Sequence, residues 1–125
     1  MAEVKFYRCN HCGNIVAMVK DAGVVPHCCG EQMELLVAGA VDAAAEKHVP
    51  AVRVEGTDVI ARVGSVDHPM LAEHYIEWIA FADGTKIGIK YLNPGDDPEA
   101  TFTMTASTGT VYAYCNLHGL WKADC

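Results

Sequence analysis

Four cysteines near the start of the chain constrain its fold more than any other feature. Cys9 and Cys12 form a C-x-x-C pair, and Cys28 and Cys29 follow as an adjacent pair. Four thiolates this close together in the sequence indicate a tetrahedral metal site of the kind that zinc or iron occupies. Residues 1 to about 36 are too few to fold around a core of their own, so we expect bound metal to contribute to the folding of this segment.

The adjacent cysteines distinguish this cluster from ordinary zinc ribbons and rubredoxin-like sites, which use two C-x-x-C pairs. Neighbouring side chains on extended backbone point in opposite directions. The backbone at Cys28 and Cys29 should therefore bend to bring both sulfurs to one ion, and the tetrahedron should be distorted. His11 and His27 flank the cluster, and we expect both to be exposed because four thiolates already complete the site.

The overall composition argues against two classes of partner and indicates a compartment. A net charge of −7, with no basic run, argues against nucleic acid or an anionic membrane surface as a partner. Residues 1–9 contain no apolar signal-peptide segment, and the longest apolar run, around residues 35–41, is too short to span a bilayer. We therefore expect a cytoplasmic protein, in which six cysteines are more naturally metal ligands than disulfides.

The rest of the pattern predicts β structure. Three strand-like stretches, 4–8, 14–19 and 33–37, belong to the cysteine-bearing segment, and residues 38–50 predict a linker or mobile loop with room for a short helix. From residue 51 onward, short apolar stretches alternate with turn residues. Six or seven short strands at this spacing predict an immunoglobulin-like β-sandwich. Those stretches are 51–55, 59–63, 75–81, 85–91, 100–106 and 110–114.

A second set of candidate ligands falls at the loops and strand ends of this β region. It has four histidines and one cysteine, which are more protein ligands than a closed structural zinc site uses. Imidazole suits iron, copper and zinc, and a thiolate adds a softer donor. The ligand count favours an iron site with one open position, although the spacing alone does not prove that geometry. The residues are His48, His68, His74, Cys115 and His118.

Six short motifs, taken in order, are spread along the chain from residue 9 to residue 122. They are C-N-H-C-G-N at residues 9–14, C-C-G-E-x-M at 28–33, E-K-H-V-P at 46–50, H-P-M at 68–70, H-Y-I-E-W-I at 74–79 and Y-C-N-L-H-G-L-W-K at 114–122. With these motifs the chain resembles the desulfoferrodoxins, the two-iron class of superoxide reductases. Every ligand position of that pattern is matched.

The resemblance implies a mainly β fold with two domains and two iron ions. Residues 1–36 would form a small desulforedoxin-like domain, and residues 37–125 an immunoglobulin-like superoxide reductase domain. An Fe(Cys)4 centre would be held by Cys9, Cys12, Cys28 and Cys29. An Fe(His)4Cys centre would be held by His48, His68, His74 and His118 in its equatorial plane, with Cys115 as the axial ligand.

The resemblance also implies an activity and its partners. The chain would reduce superoxide to hydrogen peroxide by one electron, without evolving oxygen, in defence against oxidative stress. Lys47 and Glu46 match the family's basic and acidic pair beside the open iron position. A small electron-donor protein such as rubredoxin would restore ferrous iron, and the chain would form a homodimer.

Other readings of the sequence remain open at this point. A zinc-binding interaction module, or an electron carrier of the rubredoxin type, would explain the cysteine cluster but leave the second ligand set without a purpose. A superoxide dismutase would use the same substrate. Among the other residues, we expect Trp78, Trp121 and Met70 to serve in packing, and Cys125 to be a free, exposed thiol.

Overall fold

The computed structural model describes residues 3–125. Residues 1 and 2, which the sequence assigns to the first domain, lie outside the described residues. The chain divides into two compact units, Val4–Val37 and Ala38–Cys125, with Glu3 grouped with the second. No helix among residues 3–125 is long and apolar enough to cross a membrane.

The smaller unit is a set of short antiparallel strands around a very small core. The strands β1, β2 and β5 form one sheet in the order β2-β1-β5, and β3 pairs with β4 as a separate hairpin. Tyr7, Cys9 and Met33 are buried together, so the unit has little apolar surface to stabilise it. The strand bounds are Phe6–Arg8 (β1), Ile15–Ala17 (β2), His27–Cys28 (β3), Glu31–Gln32 (β4) and Glu34–Leu35 (β5).

The larger unit is a β-sandwich, as the sequence predicts. One antiparallel sheet has the order β10-β7-β6, and the other has the order β12-β11-β8-β9. A single short helix, α1, precedes the first of these strands. The bounds are Ala45–His48 (α1), Pro50–Glu55 (β6), Asp58–Val63 (β7), Ile76–Ala82 (β8), Ile87–Tyr91 (β9), Glu99–Thr103 (β10), Thr110–Cys115 (β11) and Gly119–Asp124 (β12).

Alternating side chains from the two sheets form the sandwich core. Strand β7 contributes Val59, Ala61 and Val63, and β11 contributes every second residue from Val111 to Cys115. This period of two is the signature of strands that pack on one face. The candidate ligand Cys115 is therefore at the same time the last core residue of its strand.

A shift of register on β8 adjusts this pattern next to the candidate ligands. Tyr114 pairs with Trp78, but Cys115 pairs with Ile76, so β8 carries one extra residue at this point. The bulge places Ile76 in the core, where simple alternation from Ile79 would have placed Glu77. Such bulges re-aim side chains beside functional sites.

Strand β12 is the element of the sandwich that the sequence analysis missed, and the two-residue strands β3 and β4 of the small unit were also not predicted. Leu120 and Trp121 are neighbours, and both are buried, so the segment lacks the alternation that marks a strand with one buried face. Cys125, which follows β12, also differs from expectation. It is half-buried and packs against the sandwich core, and its backbone exchanges two hydrogen bonds with Gly109.

Asp83 fastens the turn between β8 and β9 to the segment that follows β10. One carboxylate oxygen accepts hydrogen bonds from the backbone and hydroxyl of Thr85, at 2.9 and 2.6 Å. The other accepts from the backbone and hydroxyl of Thr105, at 2.8 and 3.0 Å. The hydrogen bonds from Thr85 and then Thr105 hold the pKa of Asp83 well below its ordinary value of 3.8.

We expect Asp83→Asn to lower the stability of the sandwich at pH 7, because an amide nitrogen would face two donors. A carboxyl group whose pKa is depressed on folding stabilises the protein above its unfolded pKa, and that contribution is lost as the pH falls through the folded pKa. The difference in urea midpoint between wild type and variant should therefore be largest near neutral pH and shrink below about pH 4. Asp58→Asn, at an exposed position, is the control with the same charge change. A difference in urea midpoint that stays constant down to pH 2 would contradict this explanation.

Candidate metal centres

The four cysteines of the small unit meet at one point, as the sequence predicts. Their four sulfur atoms lie within 4.8 Å of one another. Cys9 follows β1 and Cys28 ends β3, and the turn after each strand brings in its partner, Cys12 and Cys29 respectively. Sulfur–sulfur distances of 3.6 Å (Cys12 to Cys28) and 3.9 Å (Cys28 to Cys29) suit thiolates that share one cation.

The backbone bends at the adjacent cysteines in the way the sequence requires. Cys29 has a φ of 53°, in the left-handed region, and Gly30 follows with a φ of 79°. This region is disfavoured for a residue with a Cβ and open to glycine. Two left-handed residues in succession reverse the chain, so that the sulfurs of Cys28 and Cys29 point the same way.

The environment of the four sulfurs favours a bound cation. The backbone N–H of Cys12 points at the Cys9 sulfur at 3.5 Å, and it is the main reason why the pKa of Cys9 is lowered to about 6. Hydrogen bonds with Cys9, Cys12 and Cys28 raise the pKa of Cys29 to about 12. A metal ion would remove this competition for protons, because all four sulfurs would then bind it as thiolates. His11 and His27 are exposed, as expected.

The second cluster lies at one end of the sandwich and draws on four separate segments. His48 ends α1, His68 follows β7, His74 precedes β8, and Cys115 and His118 flank the turn between β11 and β12. One ligand atom from each of these five residues lies within 4.8 Å of every other. The structure therefore brings together all five candidates that the sequence names.

The histidine ring nitrogens show which atoms are available to a metal. The Nδ1 atoms of His48 and His68 each lie 2.7 Å from a backbone carbonyl, that of Ala44 and that of Pro69. A carbonyl only accepts, so each Nδ1 carries the proton and each Nε2 of the neutral ring presents a lone pair. These two Nε2 atoms face each other at 3.1 Å. Two lone pairs at this distance repel each other unless a cation binds both.

His74 and His118 complete the inward-facing set. The Nε2 atom of His74 is buried and has no hydrogen-bond partner among the described residues. His118 turns its Nδ1 atom inward, 3.1 Å from His48 Nε2 and 3.7 Å from the Cys115 sulfur. A buried polar atom without a partner is costly, so the donor set fits a metal ion better than it fits an empty polar pocket.

The protonation states also fit a metal site. Burial lowers the pKa of His68 to about 4, and burial is likewise the main cause of the lowered pKa of His48 and of His74. These three imidazoles are therefore neutral at pH 7, which is the form that binds metal. Burial raises the pKa of the Cys115 thiol, so a metal that binds here must displace its proton.

Two residues outside the ligand set hold the ligands in place: Trp121, which the sequence analysis expects to serve in packing, and Asn116, to which it assigns no role. Trp121 donates its indole N–H to the carbonyl of His118 at 3.0 Å, and its ring lies 5.0 Å from that of His48. Asn116 accepts a hydrogen bond from the backbone of Tyr75 at 3.0 Å and donates to the carbonyl of Glu73 at 3.1 Å. Asn116 thus ties the turn that bears Cys115 and His118 to the residues on either side of His74.

Glu46 and Lys47 lie on α1, directly before His48, and both are exposed. Burial is the main cause of the lowered pKa of His48 and of His74, and the positive charge of Lys47 lowers both pKa values further. The charge of Glu46 acts on His48 in the opposite direction. The pair therefore places one cation and one anion at the solvent side of the cluster.

Known proteins match the chain over nearly its full length. A family model described as Desulfoferrodoxin matches residues 40–124, and one described as Desulfoferrodoxin, N-terminal domain, matches residues 2–36. The desulfoferrodoxin of Nitratidesulfovibrio vulgaris is 46% identical over 123 residues, which cover 98% of this chain and 97% of that protein.

Solved structures give the same result. The superoxide reductase of Treponema pallidum superposes with a TM-score of 0.77 at 39% identity, covering 97% of this chain and 98% of that one. A superoxide reductase of Giardia intestinalis described as 1Fe-SOR, 31% identical with a TM-score of 0.56, covers 64% of this chain and 97% of its own. With both metal-ligand clusters formed and both domain models matched, the chain belongs to the desulfoferrodoxin family.

Proposed function

We propose that this chain is a superoxide reductase that acts at its histidine–cysteine centre. The observation that carries the proposal is the set of five ligand atoms that lie within 4.8 Å of one another, which could hold one metal ion and would leave room for a further ligand. When bound there, iron supplies the single electron and the open position that the reaction needs. One superoxide ion, one electron and two protons then give one hydrogen peroxide.

The proposal assigns each ligand a donor atom. Nε2 of His48, His68 and His74, Nδ1 of His118 and the thiolate of Cys115 would hold the iron. Neutral imidazoles and one thiolate leave a ferrous centre with a net charge of +1, which attracts an anion.

Lys47 has the role of attracting and orienting the substrate. The chain as a whole carries a charge of −7, so superoxide is repelled at long range unless a local positive field overcomes this. Lys47 is exposed beside the cluster and close enough to affect His48 and His74 electrostatically. Glu46, its neighbour on α1, would approach the oxidised centre after the product leaves.

The cysteine centre has a supporting role in this proposal. Its four thiolates complete the coordination of one iron and leave no position for substrate. The 1Fe-SOR relative covers only 64% of this chain, which supports assigning the reaction to residues 37–125 and a structural or electron-storage role to residues 1–36. A small donor protein such as rubredoxin would return the electron, and the chain would work as a cytoplasmic homodimer.

The ratio of products tests this function against its alternatives. The reduced protein, loaded with iron and supplied with an electron donor, should form one hydrogen peroxide for each superoxide consumed. One peroxide for every two superoxide ions would instead indicate a dismutase. No consumption at all would favour the electron carrier or the zinc module, which an iron count of one or zero per chain would separate from each other.

We expect Lys47→Ala to slow the capture of superoxide by about tenfold, because a local cation focuses an anionic substrate. The dependence of the rate on ionic strength should also become flatter, since salt screens exposed charges. Pulse radiolysis or stopped-flow mixing at several salt concentrations measures both effects. Lys86→Ala, at an exposed position beyond β8, is the matched control. An unchanged rate would remove Lys47 from the mechanism.

Glu46→Ala should leave the capture rate within about twofold of wild type, because the carboxylate repels the substrate and does not attract it. The absorption spectrum of the oxidised protein should change, since Glu46 is assigned to that state. A large loss of capture rate with an unaltered spectrum would contradict this role.

A further inference from the structure

The turn that carries Glu46 and Lys47 rests against residues 62–67, which we call the clasp. Gly64, inside the clasp, is buried. A Cβ atom on Gly64 would lie 2.7 Å from the carbonyl oxygen of Glu46 and 2.8 Å from that of Val49. Both are backbone atoms that cannot rotate away, so glycine is needed at this position for the two backbones to touch.

The clasp also provides the hydrogen bonds that the Glu46 carbonyl lacks within α1. In a longer helix this carbonyl would accept from the residue four positions ahead, but that residue is Pro50, which has no N–H. The carbonyl instead accepts from the backbone of Val66 at 2.9 Å and from the hydroxyl of Ser65 at 3.3 Å. The turn is therefore capped from outside by the clasp.

Arg62 and Asp67, the first and last residues of the clasp, form a bidentate ion pair. The guanidinium of Arg62 donates to both carboxylate oxygens of Asp67, at 2.7 and 2.8 Å, a geometry that fixes both side chains. One residue further on, the backbone of His68 donates to the carbonyl of Val63 at 2.9 Å. The clasp thus connects the candidate ligand His68 to the turn that bears Glu46 and Lys47.

We propose that Gly64, Ser65 and Asp67 are positioning residues for superoxide capture. They hold the backbone of the Glu46–Lys47 turn in place relative to His68, and so set the position from which the Lys47 side chain extends. None of the three contacts the substrate. This inference rests on the proposed function, because it concerns how Lys47 reaches its working position.

The first test measures superoxide capture by the iron-loaded protein. We expect Gly64→Ala to slow capture by about tenfold or more, since displacements of about an ångström are costly in a reactive site. Asp67→Asn should slow it by about two- to fivefold, the range that a partly exposed ion pair supports, and Ser65→Ala should act in the same direction. Iron content should stay at the wild-type level in the latter two variants.

Matched controls separate positioning from general effects. Glu55→Gln breaks the ion pair between Arg53 and Glu55 at the far end of β6 and changes the net charge by the same amount as Asp67→Asn. Ser107→Ala removes a hydroxyl from an exposed serine beyond β10. Both controls should capture superoxide at the wild-type rate. Equal losses in the controls would overturn the proposal.

A double-mutant cycle tests whether the clasp acts through Lys47. If it does, Asp67→Asn should cause no further loss in a Lys47→Ala background, because the group it positions is gone. Losses that multiply would show that Asp67 acts on the site by another route and would overturn the proposal.

Amide hydrogen exchange gives a second readout that does not depend on activity. In Ser65→Ala and Asp67→Asn, the amides of Val66 and of residues 47–49 should exchange faster than in wild type, while those of the core strand β11 stay protected. Unchanged exchange at Val66 would overturn the proposal. A wild-type protein that consumed no superoxide would refute the proposed function instead, and the exchange result would still decide whether the clasp holds the turn.

Discussion

Replacement of His68 by alanine should remove one of the two irons per chain and reduce superoxide consumption to the uncatalysed background. His68 is 3% exposed, and its Nε2 atom faces that of His48 at 3.1 Å. Without it, the cluster loses one of its buried ligands, and water would have to fill the gap. Iron analysis, the visible spectrum and stopped-flow kinetics measure the loss.

His11→Ala is the matched control for this prediction. His11 is an exposed histidine in the small unit, paired with Glu31 at 2.9 Å, and its removal should change neither the second iron nor the rate. A His68→Ala protein that kept two irons and a wild-type rate would show that the metal is held elsewhere. Circular dichroism should confirm that the β-sandwich stays folded.

Replacement of Cys28 by serine should have the opposite pattern, with the first iron lost and superoxide reduction retained. The small unit buries only a few side chains around Tyr7, Cys9 and Met33. Structural metal in small domains contributes about 10 kcal/mol or more to folding, so we expect residues 4–37 to lose most of their protection from proteolysis. The rate of superoxide capture should stay within about twofold, because the cysteine cluster shares no ligand with the second centre.

Cys125→Ser provides the control, since Cys125 lies outside both ligand clusters. It should leave both irons in place. A Cys28→Ser protein that reduced superoxide in a single turnover but failed under steady supply of donor would assign the first iron an electron-transfer role. Loss of single-turnover capture as well would contradict the assignment of superoxide reduction to the larger unit alone.

The two ligand clusters differ in how far the sequence could predict them. The cysteine cluster lies within 21 residues of sequence, with each pair formed by one short turn, and even the bend at Cys29 followed from the adjacency of two cysteines. The second cluster was identified by its residue types and by its motifs. The choice of Nε2 for His48 and His68 depends on the carbonyls of Ala44 and Pro69, which no motif indicates.

The fold shows a similar division. Strands bounded by clear turn residues, such as β6 and β7 around Gly56, were predicted with nearly their observed bounds. Strand β12 was missed because Leu120 and Trp121 are both buried, which removes the alternation that marks a strand. Cys125, expected to be exposed, packs against the core because β12 carries the end of the chain alongside β11.

The sequence by itself determined the chemistry of this protein: two sets of ligands, their residue types and the family to which they belong. Short-range geometry sufficed for the two cysteine pairs, since thiolates three residues apart or adjacent can reach one ion, whereas the second set was identified from its residue types and motifs. The tertiary structure decided how the second site is assembled and held. His48, His68, His74 and His118 come from four segments that only the pairing of strands brings together, and the contact between Gly64 and the Glu46 carbonyl exists only because β7 ends beside α1.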